Sequence, residues 1–165
     1  MTEVYIGVGS NVEPLVHLRA AAAGLADSYG LLRLSPVYRN SAVGFEGDDF
    51  YNLVIAFETD EPLADVVATL EAIENANGRH RGEEKFAART LDLDLLLFGD
   101  AVGDLAGTQV PRDEITRYDF VLRPLLDLSP ELTNPATGQS LAEVWDGFEQ
   151  GDERLTRIDF EWTGA

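Results

Sequence analysis

The chain of 165 residues contains no cysteine. That excludes a disulfide framework, a thiolate nucleophile and a thiolate metal site. No run approaches 18 apolar residues, so no membrane-spanning helix is expected. The opening, Met1-Thr2-Glu3-Val4-Tyr5, has no basic stretch ahead of an apolar core, so no signal peptide is expected and the cytoplasm is the expected location. Positive charge is scarce. Twelve Lys+Arg face 30 Asp+Glu, the net charge is −18, and Lys85 is the one lysine. Such a surface does not suit the backbone of DNA or RNA, which needs clustered cations. It also repels itself, and salt screens that repulsion over a Debye length of about 3 Å at 1 M. A salt-loving host is therefore expected. Two phosphate-binding signatures are missing as well. There is no G-x-x-x-x-G-K-[ST], and Gly7-Val8-Gly9 is followed by Val12 where a dinucleotide fingerprint needs glycine.

What is present centres on Thr90-Leu91-Asp92-Leu93-Asp94-Leu95-Leu96-Leu97-Phe98, closed by Gly99. It reads as a buried strand with apolar residues on both faces: Leu91, Leu93, Leu95 and Leu97 on one, Leu96 and Phe98 on the other. That pattern predicts a central strand. Side chains alternate along a strand, so Asp92 and Asp94 share a face with Cα atoms roughly 7 Å apart. Two carboxylates there are costly unless a cation lies between them. A divalent metal answers this, because hard cations are held by one or two carboxylates plus substrate phosphates. Arg79, Arg81, Lys85 and Arg89 lie just upstream and make up four of the 12 basic residues. Cations beside a carboxylate pair suggest phosphoryl-type chemistry on a nucleotide. The plainer alternatives are an edge strand with one solvated face and a solvated basic linker.

The length predicts one domain, 1–165, without repeats or low-complexity tracts. Val4 to Gly9 reads as a strand. Asn11 is a candidate N-cap, and Pro14 suits the first turn of a helix running to about Asp27, with Gly30 as its stop. Leu32 to Tyr38 reads as a second strand, with Pro36 favouring an edge. A polar loop covers Asn40 to Asp49, and Phe50 to Glu58 reads as a third strand. Pro62 opens a helix that Asn77-Gly78 ends, and a basic loop runs from Arg79 to Arg89 into the aspartate strand. The order β-α-β-β-α-β predicts an α+β, ferredoxin-like fold: a mainly antiparallel sheet with both helices packed on one face. A C-terminal extension adds helices near Tyr118 to Asp127 and Leu141 to Trp145, and a strand near Leu155 to Phe160. Phe50 and Asn52 share a face by the period of two.

Together these residues resemble the 6-hydroxymethyl-7,8-dihydropterin pyrophosphokinase family of folate synthesis. The most specific element is Lys85-Phe86-Ala87-Ala88-Arg89-Thr90-Leu91-Asp92-Leu93-Asp94-Leu95-Leu96, similar to the family's basic residue, aromatic, short pair, Arg and D-x-D strand. Tyr5 to Asn11 resembles its opening strand and G-S-N turn. Tyr38 to Gly44 resembles its loop before the third strand, and Phe120-Val121-Leu122-Arg123-Pro124-Leu125 its late F-x-L-x-P-L segment. The resemblance implies pyrophosphate transfer from ATP to the pterin hydroxymethyl group, with release of AMP. It implies that Asp92 and Asp94 bind two Mg²⁺ ions, that Arg79 and Arg89 contact phosphates, that Arg81 belongs to a mobile loop, and that Glu74 lies near the ATP site. It also implies that Phe50 and Phe120 sandwich the pterin, that Asn52 reads its edge, and that the backbone around Asn40, Ala42 and Val43 supplies the rest. A monomer acting on small molecules, with no nucleic-acid or membrane partner, is expected.

The chain departs from the family pattern in places. Lys85 and Phe86 stand where many members have Arg-Trp; charge and aromaticity are kept, but the guanidinium fork is lost. Arg112 stands where a histidine is common after Val-Pro, and Tyr118 where an arginine is common before the late phenylalanine, with Arg117 one residue away. Arg112 and Arg117 are thus the expected ATP contacts of this segment. His17 and His80 fit no metal or nucleophile constellation. Two alternatives stay open: a module that binds a nucleotide without turnover, and a metal-dependent phosphoesterase.

Overall fold

The computed structural model describes residues 1–40, 49–78, 91–148 and 155–162. Alternating apolar residues form strand β1 (Thr2–Ser10). Helix α1 (Pro14–Tyr29) follows, with Pro14 in the first turn, where a missing N–H costs nothing. Its cap position is held by Glu13 in the left-handed region, φ 41°, without a side-chain cap. Asn11, expected there, lies buried in the preceding turn. That turn, closed by Ser10 Oγ donating to the Val12 carbonyl at 3.1 Å, starts the helix beyond its reach. Gly30, φ 79°, ends the helix as expected, its N–H donating to the Ala26 carbonyl at 2.8 Å.

The expected second strand is two short ones, β2 (Arg33–Leu34) and β3 (Val37–Asn40), broken at Ser35-Pro36. Both pair with β4 (Phe50–Thr59), but the register moves by one residue between Leu34↔Ile55 and Tyr38↔Asn52. Ser35 bridges the break: its N–H donates to the Val54 carbonyl at 2.9 Å and its Oγ accepts from the Val54 N–H at 2.8 Å. Helix α2 (Leu63–Ala76) leads toward β5 (Asp92–Phe98). A hairpin, β6 (Gly103–Leu105) and β7 (Thr108–Val110), turns at Ala106 and Gly107, both at positive φ as a two-residue hairpin loop demands. A single 3-10 turn (Asp113–Thr116) precedes α3 (Asp119–Leu128), α4 (Leu141–Asp146) and β8 (Thr156–Ile158). Ser140 caps α4, its Oγ accepting from the Glu143 N–H at 3.4 Å. The hairpin and the 3-10 turn were not expected from the sequence.

The sheet order is β5-β1-β4-β3-β8, and each neighbouring pair is antiparallel. Strands β1 and β3 therefore run parallel with β4 between them, and β4 and β5 run parallel with β1 between them. This is the ferredoxin-like arrangement, with β1 and β4 as its inner pair. Helices α1 and α2 cover one face through Leu18, Ala21, Leu25, Leu63, Val66 and Leu70, packed on Val4, Ile6, Val8, Leu53 and Ile55. The C-terminal extension covers the other. Ile115, Leu122, Leu125, Leu126 and Leu141 pack there on Tyr5, Val54, Ala56, Leu96 and Leu97. Each fully buried leucine or isoleucine contributes about 1.5–3 kcal/mol.

Two expectations about the aspartate strand are corrected. Strand β5 is an edge of the sheet among the described residues, not a central strand. It is apolar on both faces because both faces of the whole sheet are covered. Leu97 also leaves the face of Leu91, Leu93 and Leu95. The register with β1 passes from Tyr5↔Leu97 to Ile6↔Leu95, so Leu96 is an extra residue, a β-bulge. The bulge puts Leu96 and Leu97 together under α3. Pro36 follows an edge segment, since β2 pairs with β4 alone among the described residues, but β3 after it is not an edge, because β8 pairs with it from Val37 on.

Candidate active site

Strand pairing lines up two rows across the sheet. Asn52, Gly9 and Asp92 are in register on β4, β1 and β5, and so are Val54, Gly7 and Asp94 one step along. By the alternation of strand side chains, these residues share the face of Tyr5, Val54 and Leu96, the face toward α3. Gly7 and Gly9 add no side chain to it. The result is a floor on β1, bounded by two carboxylates on one side and an amide on the other. The glycines leave room for their neighbours. A Cβ on Gly9 would stand 2.8 Å from Asn52 Oδ1, and one on Gly7 would stand 3.3 Å from Leu96 Cδ2. Asn52 Oδ1 therefore lies over Gly9.

Asn52 is held from behind. Its Nδ2 donates to Asn40 Oδ1 at 2.6 Å, and both amides are buried. Phe50 lies two residues before Asn52 on β4, half-buried, with Asn40 opposite it in register. Buried amides held this way orient donor and acceptor atoms for a flat polar ligand.

On the carboxylate side, Asp92 and Asp94 are half-buried. Arg112 Nη2 stands 3.5 Å from Asp94 Oδ1, and Arg112 Nε donates to Glu114 Oε2. The Arg112 backbone N–H donates to the Leu96 carbonyl at 3.0 Å, which docks this segment on β5 beside Asp94. Burial lowers the Arg112 pKa, but Asp94, Glu114 and Glu74 outweigh it and leave it raised, so the guanidinium stays charged. Glu74, buried on α2, accepts the Leu93 N–H at 2.8 Å through Oε2. An edge N–H is thereby satisfied, and α2 is fixed to the aspartate strand. Among the described residues, no group of three or more His, Cys, Asp or Glu converges to cage a metal. A pair of carboxylates beside the glycine floor suits a hard cation that completes its shell with water and phosphate oxygens.

Phe120 sits in the first turn of α3, half-buried. Its ring stacks on Tyr118, centroids 5.0 Å apart and planes 17° apart. Arg117 reaches over the other ring, its Cζ 5.8 Å from the Tyr118 centroid. Helix α3 is anchored by Tyr38, whose hydroxyl donates to Asp127 Oδ2, and by Arg123, 3.0 Å from Asp127 Oδ1 and stacked over Trp145 at 4.8 Å. Burial and the Asp127 carboxylate push the Tyr38 pKa up to about 12. His17 is structural: its Nδ1 lies 2.9 Å from Asn77 Oδ1 and ties α1 to the end of α2.

The structure thus brings together Asn40 with Asn52, Glu74 with β5, and Arg112 with Asp94. Arg117 is paired with Tyr118 instead. Arg79, Arg81, Lys85, Phe86, Arg89, Ala42, Val43 and His80 lie outside the described residues. Three features escaped the sequence reading: the glycine floor, the grip of Glu114 on Arg112, and the stacking of Tyr118 on Phe120. The first had a signal, since glycines at i and i+2 of a strand mirror aspartates at i and i+2 of another.

The family profile of 7,8-dihydro-6-hydroxymethylpterin-pyrophosphokinase matches residues 5–130. The 2-amino-4-hydroxy-6-hydroxymethyldihydropteridine pyrophosphokinase of Pseudomonas aeruginosa is 38% identical over 157 residues, covering 92% of this chain and 96% of that protein. The protein of the same description from Synechocystis is 33% identical over 142 residues, covering 84% of this chain and 72% of the relative. Among solved structures, Plasmodium falciparum HPPK-DHPS with pteroate shares the fold, with a TM-score of 0.73 at 14% identity. The match covers 95% of this chain and 48% of that one, so this chain spans about half the length of that protein. The profile extends over both aspartates, both glycines and Asn52, and the chain belongs to the 7,8-dihydro-6-hydroxymethylpterin-pyrophosphokinase family.

Proposed function

We propose that this chain transfers pyrophosphate from ATP to the hydroxymethyl group of 6-hydroxymethyl-7,8-dihydropterin, releasing AMP, in folate biosynthesis. The observation that carries this reading is the floor of Gly7 and Gly9, with Asp92 and Asp94 on one side and Asn52 on the other. The pterin hydroxyl attacks the β-phosphorus of ATP and gives up its proton to solvent. The bond to the oxygen shared with the α-phosphate breaks, and AMP leaves with that electron pair. Holding the two reactants in line and stabilising spread charge are what a protein adds to such a step. Two Mg²⁺ ions, when bound by Asp92 and Asp94, supply charge neutralisation across the phosphates.

The chain's own residues do the positioning. Asn52, held by Asn40, offers amide atoms to the pterin edge, with backbone groups around Asn40, Ala42 and Val43 beside it. Phe50 and Phe120 close on the pterin faces. Arg79, Arg89 and Arg112 take phosphate oxygens; Arg81, Lys85, Phe86 and Arg117 line the nucleotide side. Glu74 sets the height of β5 through the Leu93 N–H. The chain works in the cytoplasm as a single domain and a monomer, on small molecules and not on nucleic acid or membranes. No helix among the described residues is long and apolar enough to cross a membrane. The charge of −18 supports a requirement for concentrated salt.

A nucleotide-binding module without turnover is the second reading, favoured by Arg112 standing against Asp94. Nucleotide analysis separates the two. ATP and Mg²⁺ are incubated with the folded protein in concentrated KCl, with and without the pterin. AMP that appears only with the pterin is expected. ATP left intact in both, or AMP that ignores the pterin, contradicts the proposal.

A further inference from the structure

We infer that Arg112 is a built-in counter-cation of the aspartate pair, which holds divalent metal off Asp94 until the phosphates of a nucleotide draw the guanidinium away. The inference rests on the reading of Asp92 and Asp94 as metal ligands. It concerns an arginine at a position where the family pattern commonly has histidine. Its basis is geometric. Arg112 is docked on β5 by its own N–H, on the carbonyl of Leu96 at 3.0 Å. Glu114 grips Nε from one side. The far end of the fork, Nη2, is left facing Asp94 Oδ1 at 3.5 Å. That is ion-pair distance but longer than a good charge-assisted hydrogen bond, so the hold on Asp94 is loose.

Three consequences follow from charge and access. A guanidinium is positive at every working pH, so it neutralises Asp94 permanently while it stays there. A divalent ion on the same oxygen meets a fixed positive charge at close range and binds weakly. Both side chains are reachable from solvent, Arg112 at 34% and Asp94 at 44% exposure, so an arriving triphosphate can engage the fork in planar, bidentate fashion. Once the guanidinium turns to phosphate, Asp94 is released to the metal that the same phosphates carry. Metal and nucleotide then bind as one, and free metal does not load the site alone. Arg112 thus acts on the metal site through Asp94 before it meets the phosphates.

The test is Mn²⁺ binding to the full chain, read from the electron paramagnetic resonance of free Mn²⁺, with and without the non-hydrolysable analogue α,β-methylene-ATP. Wild type is expected to bind Mn²⁺ weakly alone and firmly with the analogue. Arg112→Met, which keeps the stem and removes the charge, should bind Mn²⁺ roughly ten- to a hundredfold more tightly without nucleotide. Arg112→Lys should restore the weak binding. Arg19→Met, which removes the same charge from α1 on the other face of the sheet, where Arg19 Nε donates to the Glu161 carbonyl at 2.7 Å, should stay within about twofold of wild type. Equal Mn²⁺ affinity in wild type and Arg112→Met, or a gain as large in Arg19→Met, overturns the inference while leaving the metal reading intact. Wild type that binds no Mn²⁺ even with the analogue overturns both. Should Arg112→Met not fold, Arg112→Gln carries the same expectation, and tight nucleotide-free binding by wild type alone refutes the inference.

Discussion

Gly9 and Asn52 occupy one place between them. The position a Cβ would take on Gly9 is 2.8 Å from Asn52 Oδ1, closer than real side chains approach. Gly9→Ala must therefore push the amide aside and strain its bond to Asn40. The expected result is a protein destabilised by about 1–3 kcal/mol, with weakened pterin binding and unimpaired nucleotide binding. Titration of pterin fluorescence and of a nucleotide analogue checks this; equal weakening of both ligands would count against the placement of Asn52. Asp94 belongs to the other side of the floor. Asp94→Asn keeps the volume and removes the charge, and should lower AMP formation by roughly 10²–10³. Near-normal turnover in that variant sinks the role given to the carboxylate.

At the scale of elements, helix α3 is held to the sheet by polar groups as well as by leucines. Tyr38 on β3 donates to Asp127 on α3, and Arg123 braces the same carboxylate. Burial and Asp127 push the Tyr38 pKa up to about 12, and burial pushes Tyr29, stacked on Phe57, up to about 12 as well. The folded state thus holds these protons more tightly than the unfolded chain, whose tyrosines titrate near 10. Stability from this source is complete below about pH 10 and is lost as pH rises from there toward 12. Denaturant midpoints measured from pH 9 to 12 should fall, and Tyr38→Phe should flatten part of the fall. A midpoint independent of pH in wild type would contradict it. The elements also show what a sequence discloses. The βαββαβ order, the helix stops at Gly30 and Asn77-Gly78, and the shared face of Asp92 and Asp94 all follow from local periodicity and turn chemistry. The break at Ser35-Pro36 depends on a serine hydroxyl bonding Val54 across the sheet. The bulge at Leu96 is a matter of register with β1, and the place of β5 at the edge a matter of topology. None of these three has a local signal. The Arg112 ion pair is of the same kind, because its partner lies on another element. The roles of Arg79, Arg81, Lys85, Phe86 and Arg89 rest on resemblance alone.

The whole molecule carries a charge of −18 with one cluster of cations in sequence, between Arg79 and Arg89. Spread over a small domain, that excess opposes the compact state in dilute buffer, and screening relieves it. The midpoint of thermal unfolding should rise steeply as KCl increases toward about 1 M, where the Debye length is ~3 Å. Full stability in dilute buffer would refute the salt requirement. The proposed activity is one reaction at one floor, and a single phosphorus NMR time course follows both of its products. ATP, Mg²⁺, the pterin and the folded protein are combined in concentrated KCl. ATP signals are expected to give way to AMP and to the paired resonances of a pterin pyrophosphate ester, in equal amounts. ADP or inorganic phosphate in their place, or no change from protein shown to be folded, would contradict it.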